Sequence, residues 1–233
     1  LVSVMHVNNE TGIIQPIDEI CEVLKSHPAY FHSDSAQGFG KELKQPRNKR
    51  IDLLSCSGHK ICGPKGIGAL ITRRRNYKRP PIKPLMFGGG QEASLRPGTQ
   101  PVFLAAGLGF AAQLAFDEIE KRTAHCQKIG DNLIQMFTEY GFQVIGDDRR
   151  IPNIVLLAKE GLDSESLMIT LKECVAISNG AACSSNNYTK SYVLSAMCIE
   201  DDISASVTRW SWGYHTKDES FTRLRTLLND YLR

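Results

Sequence analysis

Short apolar runs separated by polar segments dominate the first third of the chain. Four of these runs predict strands over residues 1–5, 30–34, 53–57 and 68–72. Between the first two, apolar residues recur at helical spacing over residues 17–24, which predicts a helix that connects two parallel strands. This alternation of strands and helices predicts an α/β domain built around a mostly parallel sheet.

The hydrophobic pattern changes after residue 73. Residues 73–98 are rich in proline, glycine and arginine and predict an irregular loop. Residues 102–140 have helical periodicity and predict one long helix or two consecutive helices. A smaller α+β unit is predicted beyond them, with strands over 154–157, 175–178 and 207–212, a helix over 164–171 and a last amphipathic helix that reaches Tyr231.

The chain has 233 residues, of which 42% are hydrophobic, and this is enough to bury a substantial core. We expect residues 1–100 to form part of a large domain, residues 101–140 to form connecting helices, and residues 141–233 to form the smaller C-terminal domain. A strand predicted at Leu1, with no turn before it, indicates that the chain begins inside a domain.

Charge and cysteine content exclude several classes of protein. The formal charge of +3 is too small to indicate direct nucleic-acid binding, and the basic clusters near Arg47 and Arg74 are interpreted first as solvated loops. No apolar run approaches the length of a membrane span. The seven cysteines are scattered without paired spacing, so we expect neither a disulfide framework nor a zinc module, and we expect a reducing, cytoplasmic location.

Candidate chemistry lies at the ends of two predicted strands. Lys60 follows the run Ser57-Gly58-His59 at the end of one strand, and a lysine there can form a covalent bond with an aldehyde cofactor. Asp34 ends the preceding strand, where a carboxylate can pair with the ring nitrogen of pyridoxal 5'-phosphate (PLP), and Gln37 can bond the ring oxygen. The hydroxyl of Ser57 and the imidazole of His59 can bind phosphate.

Each of these residues also has an ordinary structural interpretation. An isolated lysine is most often a solvated surface charge, Asp34 could cap the next turn, and His59 could be a structural histidine. The co-occurrence of an acid at one strand end and a Ser-Gly-His-Lys run at the next favours the PLP interpretation.

Five ordered motifs resemble one family, the class V aminotransferase-like cysteine desulfurases, in both order and spacing. They are found at residues 6–12, 32–37, 57–66, 88–92 and 96–99, and the resemblance continues to the end of the chain. It implies a PLP-dependent fold type I enzyme with a mostly parallel large-domain sheet and a smaller C-terminal α+β domain. The family's N-terminal histidine and its Gly/Thr phosphate loop are not in these residues, and Gln91 and Pro97 differ from the commoner forms of their motifs.

The resemblance assigns a role to each residue of the cofactor site. It implies that Lys60 carries the cofactor, that Asp34 pairs with the ring nitrogen, and that Gln37 contacts the ring oxygen. It also implies that Ser57 and His59 bind phosphate and that Asn9 lies near the cofactor and the substrate carboxylate. Thr99 is expected to reach the phosphate of the other subunit, which implies a homodimer, although its context also suits a helix N-cap.

The second half of the chain contains the candidate nucleophile. Cys183 lies in a segment of small and polar residues, where a thiol can be exposed and reactive, whereas Cys56 and Cys174 better fit the buried, inert alternative. By resemblance, Cys183 is the attacking thiolate and lies on a loop of the family's long-loop group. Arg209 is expected to bind the substrate α-carboxylate, although it could also be an ordinary charge at a strand edge.

The expected function is conversion of L-cysteine to L-alanine, with Cys183, Lys60 and His59 as candidate catalytic residues and with sulfur passing from Cys183 to an acceptor protein. Iron-sulfur cluster assembly, thionucleoside synthesis and DNA sulfur modification are all compatible destinations. The alternatives are a selenocysteine lyase, another fold type I PLP enzyme such as an aminotransferase, and a non-catalytic scaffold subunit.

Overall fold

A computed structural model describes residues 1–179, 191–217 and 220–232 of the chain. The described residues divide into two compact units, each made of two stretches of sequence: Leu1–Val7 with Gln15–Ile119, and Asn8–Ile14 with Glu120–Arg233. The sequence pattern predicted a separate connecting region over residues 101–140. Contacts place the first of the two helices of this region in the first unit and nearly all of the second helix in the second unit.

The first unit contains a four-stranded sheet in which the strands follow their order in the sequence. Its strands are β1 (Val2–Met5), β2 (Phe31–Asp34), β3 (Leu53–Ser57) and β4 (Gly68–Thr72). The first three run parallel, and β4 pairs with β3 in the antiparallel direction. The mostly parallel sheet expected from the sequence is therefore found.

One face of this sheet is covered by helix α1 (Ile17–Val23). Because side chains alternate along a strand, Phe31, Leu54 and Cys56 all point to this face, and they pack against Ile17 and Cys21. The opposite face carries a row of polar side chains that includes Asp34. This division of the sheet into an apolar and a polar face positions the candidate site.

A buried carboxylate stabilises the amino-terminal edge of the same sheet. The Asp52 side chain accepts hydrogen bonds from the backbone N–H of Phe31 at 2.7 Å, from Arg50 Nη1 at 2.8 Å and from Arg75 Nη2 at 2.5 Å. Both guanidinium groups also donate to the carbonyl of Ala29, so the network holds the segment before β2. Two of the arginines that the sequence suggested were solvated are therefore structural.

The Asp52 network gives a prediction about stability. Asp52→Ala is expected to lower the free energy of unfolding by about 3–5 kcal/mol, because it leaves the largely buried Arg50 guanidinium without its counter-charge. Denaturant unfolding measures this loss. Asp148→Ala is the matched control, because the Asp148 carboxylate is fully exposed and its ion pair with Arg150 should contribute little. An equal loss in both variants would contradict the assigned role.

The second unit contains a three-stranded antiparallel sheet. Its strands are β5 (Gln143–Ile145), β6 (Ile154–Ala158) and β7 (Thr208–Ser211), with β6 in the centre. The α-helices that follow α1 in the described residues are α2 (Val102–Asp117), α3 (Ile119–Glu139), α4 (Ser164–Leu171), α5 (Tyr192–Ala196), α6 (Asp201–Ser206) and α7 (Ser220–Tyr231). Of these, α2 belongs to the first unit.

The core of the second unit forms where α3, α4 and α7 pack on the sheet. Residues Ile129, Leu133 and Phe137 of α3 are buried at helical spacing, and the Phe137 ring lies 4.6 Å from the ring of Trp210 on β7. Leu167 and Leu228 bring α4 and α7 into the same core.

No single helix among the described residues is long and apolar enough to cross a membrane. Helices α2 and α3 reach the length and composition of a membrane span only when they are counted together, and the pair is bent by 73°.

The short segment Asn8–Ile14 belongs to the second unit although it follows β1 in the sequence. The backbone N–H of Ile14 donates to the carbonyl of Arg149 at 2.9 Å, and the backbone N–H of Ile151 donates to the carbonyl of Gly12 at 3.0 Å. Gly12 has a φ of +75°, and a Cβ there would lie 3.1 Å from the carbonyl oxygen of Ile154. The turn therefore requires glycine both for its backbone conformation and for its close approach to β6.

The helix and strand predictions hold for the long elements. The bounds predicted for β3, β4 and α4 are confirmed, and the helical region after residue 101 is two helices. The strand predicted over 175–178 is wrong, since only Ser178 pairs, through an isolated bridge with Arg209. The pattern missed β5, α5 and α6.

Candidate active site

The carboxyl ends of β1, β2 and β3 lie at one edge of the first sheet because these strands run parallel. The register places Met5 beside Asp34, and Asp34 beside Ser55. Asp34 is exposed, and its Oδ1 accepts a hydrogen bond from the backbone N–H of Ala36 at 2.9 Å. The acid predicted at a strand end is therefore presented to solvent at the edge where ligands bind in sheets of this type.

Lys60 lies on a single 3-10 turn, Gly58–Ile61, that directly follows β3. Ser57 Oγ lies 2.9 Å from His59 Nδ1, so the two candidate phosphate-binding groups adjoin each other. Both His59 and Lys60 are exposed. Within the described part of the chain the Lys60 amine makes no hydrogen bond or ion pair, which leaves it available for covalent attachment.

A row of polar side chains crosses the sheet on the face that carries Asp34. Ser3 Oγ lies 2.7 Å from His32 Nδ1, and His32 Nε2 lies 3.2 Å from Ser55 Oγ. Neither Ser3 nor Ser55 was among the predicted site residues. The signal was available, because polar residues stand two apart in both β2 and β3, and such residues share a face.

The segment after β2 is fixed by a buried pair that the sequence did not reveal. His6 Nε2 lies 2.8 Å from Glu42 Oε2, and His6 is fully buried. This short contact joins the segment after β2 to the end of β1. A Cβ on Gly38 would lie 2.0 Å from the His6 ring, so the close packing requires glycine there.

The same buried pair shifts the ionisation of Glu42. Burial raises the pKa of this carboxyl, but contacts with His6 and with the backbone N–H groups of Lys44 and Gln45 outweigh burial and lower the pKa below its ordinary value of 4.5. Gln37, in the same segment, accepts a hydrogen bond from Lys41 Nζ at 3.3 Å. The side chain expected to contact the cofactor ring is thus on a well-anchored segment.

In the second unit, Arg209 and Asn9 are brought together. Arg209 Nη1 donates to the backbone carbonyl of Asn9 at 3.2 Å. The side chain of Asn8 accepts from the backbone N–H groups of Glu10 and Thr11 at 2.9 and 3.0 Å, which fixes the turn that carries Asn9. The two residues predicted to lie near the substrate carboxylate are therefore neighbours, although 200 positions separate them in the sequence.

The predicted nucleophile Cys183 lies outside the described residues. On the carboxyl side of its segment, Ser191 Oγ donates to Glu10 Oε2 at 2.6 Å and accepts from the backbone N–H of Leu194 as the N-cap of α5. On the amino side, Ser178 is bridged to Arg209. The residues that flank the segment on both sides are therefore anchored within the second unit.

Thr99 is exposed in the loop before α2. The alternative that it caps this helix is wrong, because α2 begins at Val102 and the N-cap position is occupied by Pro101. The expected contact of Thr99 with the phosphate of another subunit stays a prediction.

The described thiols differ in accessibility. Burial raises the pKa of Cys21 to about 11, with the nearby Asp18 adding to the shift, and burial also raises the pKa of Cys56. Cys56 is therefore an inert core residue, as expected, whereas Cys174 is only partly buried. A thiolate forms at neither Cys21 nor Cys56 near neutral pH.

Comparison with known proteins identifies the family of this chain. The family model described as Aminotransferase class-V matches residues 1–224. The chain therefore belongs to the class-V aminotransferase family, and the predicted fold type I architecture is confirmed. The family is PLP-dependent, which agrees with the cofactor expected from the sequence.

Individual proteins of known name and structure are similar to this chain over most of its length. The chain is 42% identical over 222 residues to the cysteine desulfurase IscS of Rickettsia bellii (strain OSU 85-389), covering 94% of this chain and 53% of that protein. A NifS-like protein of Rickettsia africae ESF-5 superposes with a TM-score of 0.85 at 29% identity, covering 98% of this chain and 61% of that one. SspA, solved in complex with cysteine, gives a TM-score of 0.73 at 32% identity, covering 92% and 59%.

The chain spans about half the length of the curated relatives it matches. Within that span, the groups at the carboxyl edge of the first sheet fit the cofactor. An unbonded amine at Lys60 suits an aldehyde, the exposed Asp34 carboxylate suits a pyridinium nitrogen, and the paired Ser57 and His59 suit a phosphate. These four side chains therefore fit PLP.

Proposed function

We propose that this chain carries the sulfur-transfer half of a PLP-dependent cysteine desulfurase, which converts L-cysteine to L-alanine and passes the sulfur to an acceptor protein. The observation that carries the proposal is the placement of Asp34, Ser57, His59 and Lys60 at one edge of the sheet. The relatives support it, since those with curated names are cysteine desulfurases and the SspA structure was solved with cysteine.

The first unit provides the groups that hold and activate the cofactor. When bound, PLP supplies an electron-withdrawing ring that weakens bonds to the substrate α-carbon. In the proposal, the Lys60 amine attaches the cofactor and later moves a proton at the α-carbon. The Asp34 carboxylate keeps the ring nitrogen protonated, Gln37 contacts the ring oxygen, and Ser57 and His59 donate to the phosphate.

The second unit provides the substrate-binding groups and the nucleophile. The Arg209 guanidinium pairs with the substrate α-carboxylate, and Asn9 adjoins it. The Cys183 thiolate attacks the substrate sulfur, the carbon–sulfur bond breaks, the sulfur remains on Cys183 as a persulfide, and the carbon skeleton leaves as alanine after protonation.

The proposal includes a homodimer and an acceptor protein. Helix α2 follows Thr99 closely and exposes four large apolar side chains, Val102, Phe103, Phe110 and Phe116, at 71%, 77%, 67% and 50%. An exposed apolar stripe of this kind supports a subunit contact near Thr99. The proposal also keeps the reducing, cytoplasmic location expected from the scattered spacing of the seven cysteines.

The proposal names the sulfur acceptor only as a protein of a sulfur-transfer pathway. Iron-sulfur cluster assembly, thionucleoside synthesis and DNA sulfur modification all take persulfide sulfur, and the destination is read out by the protein that accepts labelled sulfur from Cys183. Direct nucleic-acid binding is not part of the proposal.

A product assay tests the proposed reaction. The PLP-loaded protein, given L-cysteine and a reducing thiol, is expected to release L-alanine and sulfide in equal amounts. A selenocysteine lyase would release alanine from L-selenocysteine but not from L-cysteine, and an aminotransferase would convert an amino acid to its keto acid without sulfide. A scaffold subunit would give no alanine and no absorbance of lysine-bound cofactor, and any of these three results would reject the proposal.

A further inference from the structure

Two buried polar atoms beside the proposed carboxylate site have no hydrogen-bond partner among the described residues. They are Ser178 Oγ and Arg209 Nε, and each exposes less than 1 Å² to solvent. Buried donors of this kind are rare in folded proteins, because each loses its bonds to water without replacement. One acceptor group placed beside them would satisfy both donors.

The backbone fixes the two side chains on the same side of the sheet. The backbone N–H of Arg209 donates to the carbonyl of Ser178 at 2.6 Å, and the backbone N–H of Ser178 donates to the carbonyl of Arg209 at 3.3 Å. Residues that exchange both bonds in an antiparallel pair stand directly opposite each other, and their side chains share a face. Ser178 therefore forms an isolated bridge with β7. The bridge places the Ser178 hydroxyl on the same face of the sheet as the Arg209 guanidinium.

We propose that Ser178 is a second donor to the α-carboxylate of the substrate, so that the carboxylate is held by Arg209 and by the Ser178 hydroxyl together. This inference rests on the proposed function. A carboxylate offers two oxygens, and the two unpartnered donors match them in number. Arg209 is already held by its bond from Nη1 to Asn9, which leaves Nε pre-oriented toward the ligand.

Equilibrium binding tests the inference without turnover. In a Cys183→Ser background, the dissociation constant for L-cysteine is measured from the absorbance change of the bound cofactor. Ser178→Ala is expected to raise it about tenfold, the usual effect of losing a hydrogen bond to a charged group. Ser178→Thr, which keeps the hydroxyl, should stay near the wild-type value, and Ser26→Ala, at an exposed loop serine, should not change it.

Two further measurements separate direct contact from a structural role. Cysteamine lacks the carboxylate, so Ser178→Ala should leave its affinity unchanged; an equal loss for cysteine and cysteamine would overturn the inference. In an Arg209→Lys background, Ser178→Ala should still weaken cysteine binding, and the absence of further loss would show that Ser178 only supports Arg209. If wild-type protein makes no alanine, the proposed function fails; if it does and Ser178→Ala binds cysteine normally, only this inference fails.

Discussion

Lys60→Ala is expected to remove the visible absorbance of the lysine-bound cofactor and to reduce alanine formation from L-cysteine by at least about a hundredfold. The reason is chemical, because the variant loses both the amine that attaches PLP and the group that moves the α-proton. The turn that carries Lys60 should survive, since the side chain is exposed and makes no bond within the described residues. Absorbance spectra and product analysis measure the two losses separately.

Lys49→Ala is the matched control for Lys60. Lys49 is also exposed, but it lies in a turn before β3 rather than after it. Its variant should keep both the absorbance and the activity. Thermal unfolding of both variants should coincide with the wild type. A Lys60→Ala protein that kept the lysine-bound absorbance would show that another amine holds the cofactor.

Cys183→Ser is expected to have an effect of similar size on alanine formation but to leave the cofactor absorbance intact. The serine hydroxyl is a far weaker nucleophile than a thiolate, so the sulfur of the substrate has no acceptor on the protein. Protein-bound persulfide, measured by mass spectrometry after a short exposure to L-cysteine, should disappear from the peptide that contains residue 183.

Cys62 is the most informative control thiol. It is exposed and lies two residues after Lys60, so it is the described thiol nearest in sequence to the proposed cofactor lysine. Cys62→Ser should retain activity and persulfide on Cys183. Loss of activity in Cys62→Ser, with full activity in Cys183→Ser, would move the nucleophile into the first unit and reject the assignment.

Sequence patterns predicted the fold best where elements are long or strongly apolar. The strand at 53–57 is bounded by polar residues on both sides, and α3 repeats apolar residues over five turns, so the periodicity is plain. By contrast, β5 is three residues long and α5 is five, and neither length can establish a period. The segment at 175–178 looked like a strand because of its β-branched residues, but only Ser178 finds a pairing partner.

The candidate site was predictable to the extent that it depends on parallel strands. Asp34 and Lys60 follow neighbouring strands, and parallel strands bring such positions to one edge. The contacts of His6 with Glu42, of Ser191 with Glu10 and of Arg209 with Asn9 could not be predicted, because they join residues distant in sequence and depend on the tertiary packing of each unit. The orphaned hydroxyl of Ser178 likewise becomes visible only in three dimensions.

The position of Asn8–Ile14 has a consequence for how the chain acquires its structure during synthesis. This segment is synthesised well before its partners at Arg149, Ile151, Ser191 and Arg209. Until those residues have been synthesised, the segment cannot dock, so the second unit cannot be completed before Arg209 is available. A polypeptide started at Glu120 would lack this piece and could not complete that unit without an added peptide supplied in trans.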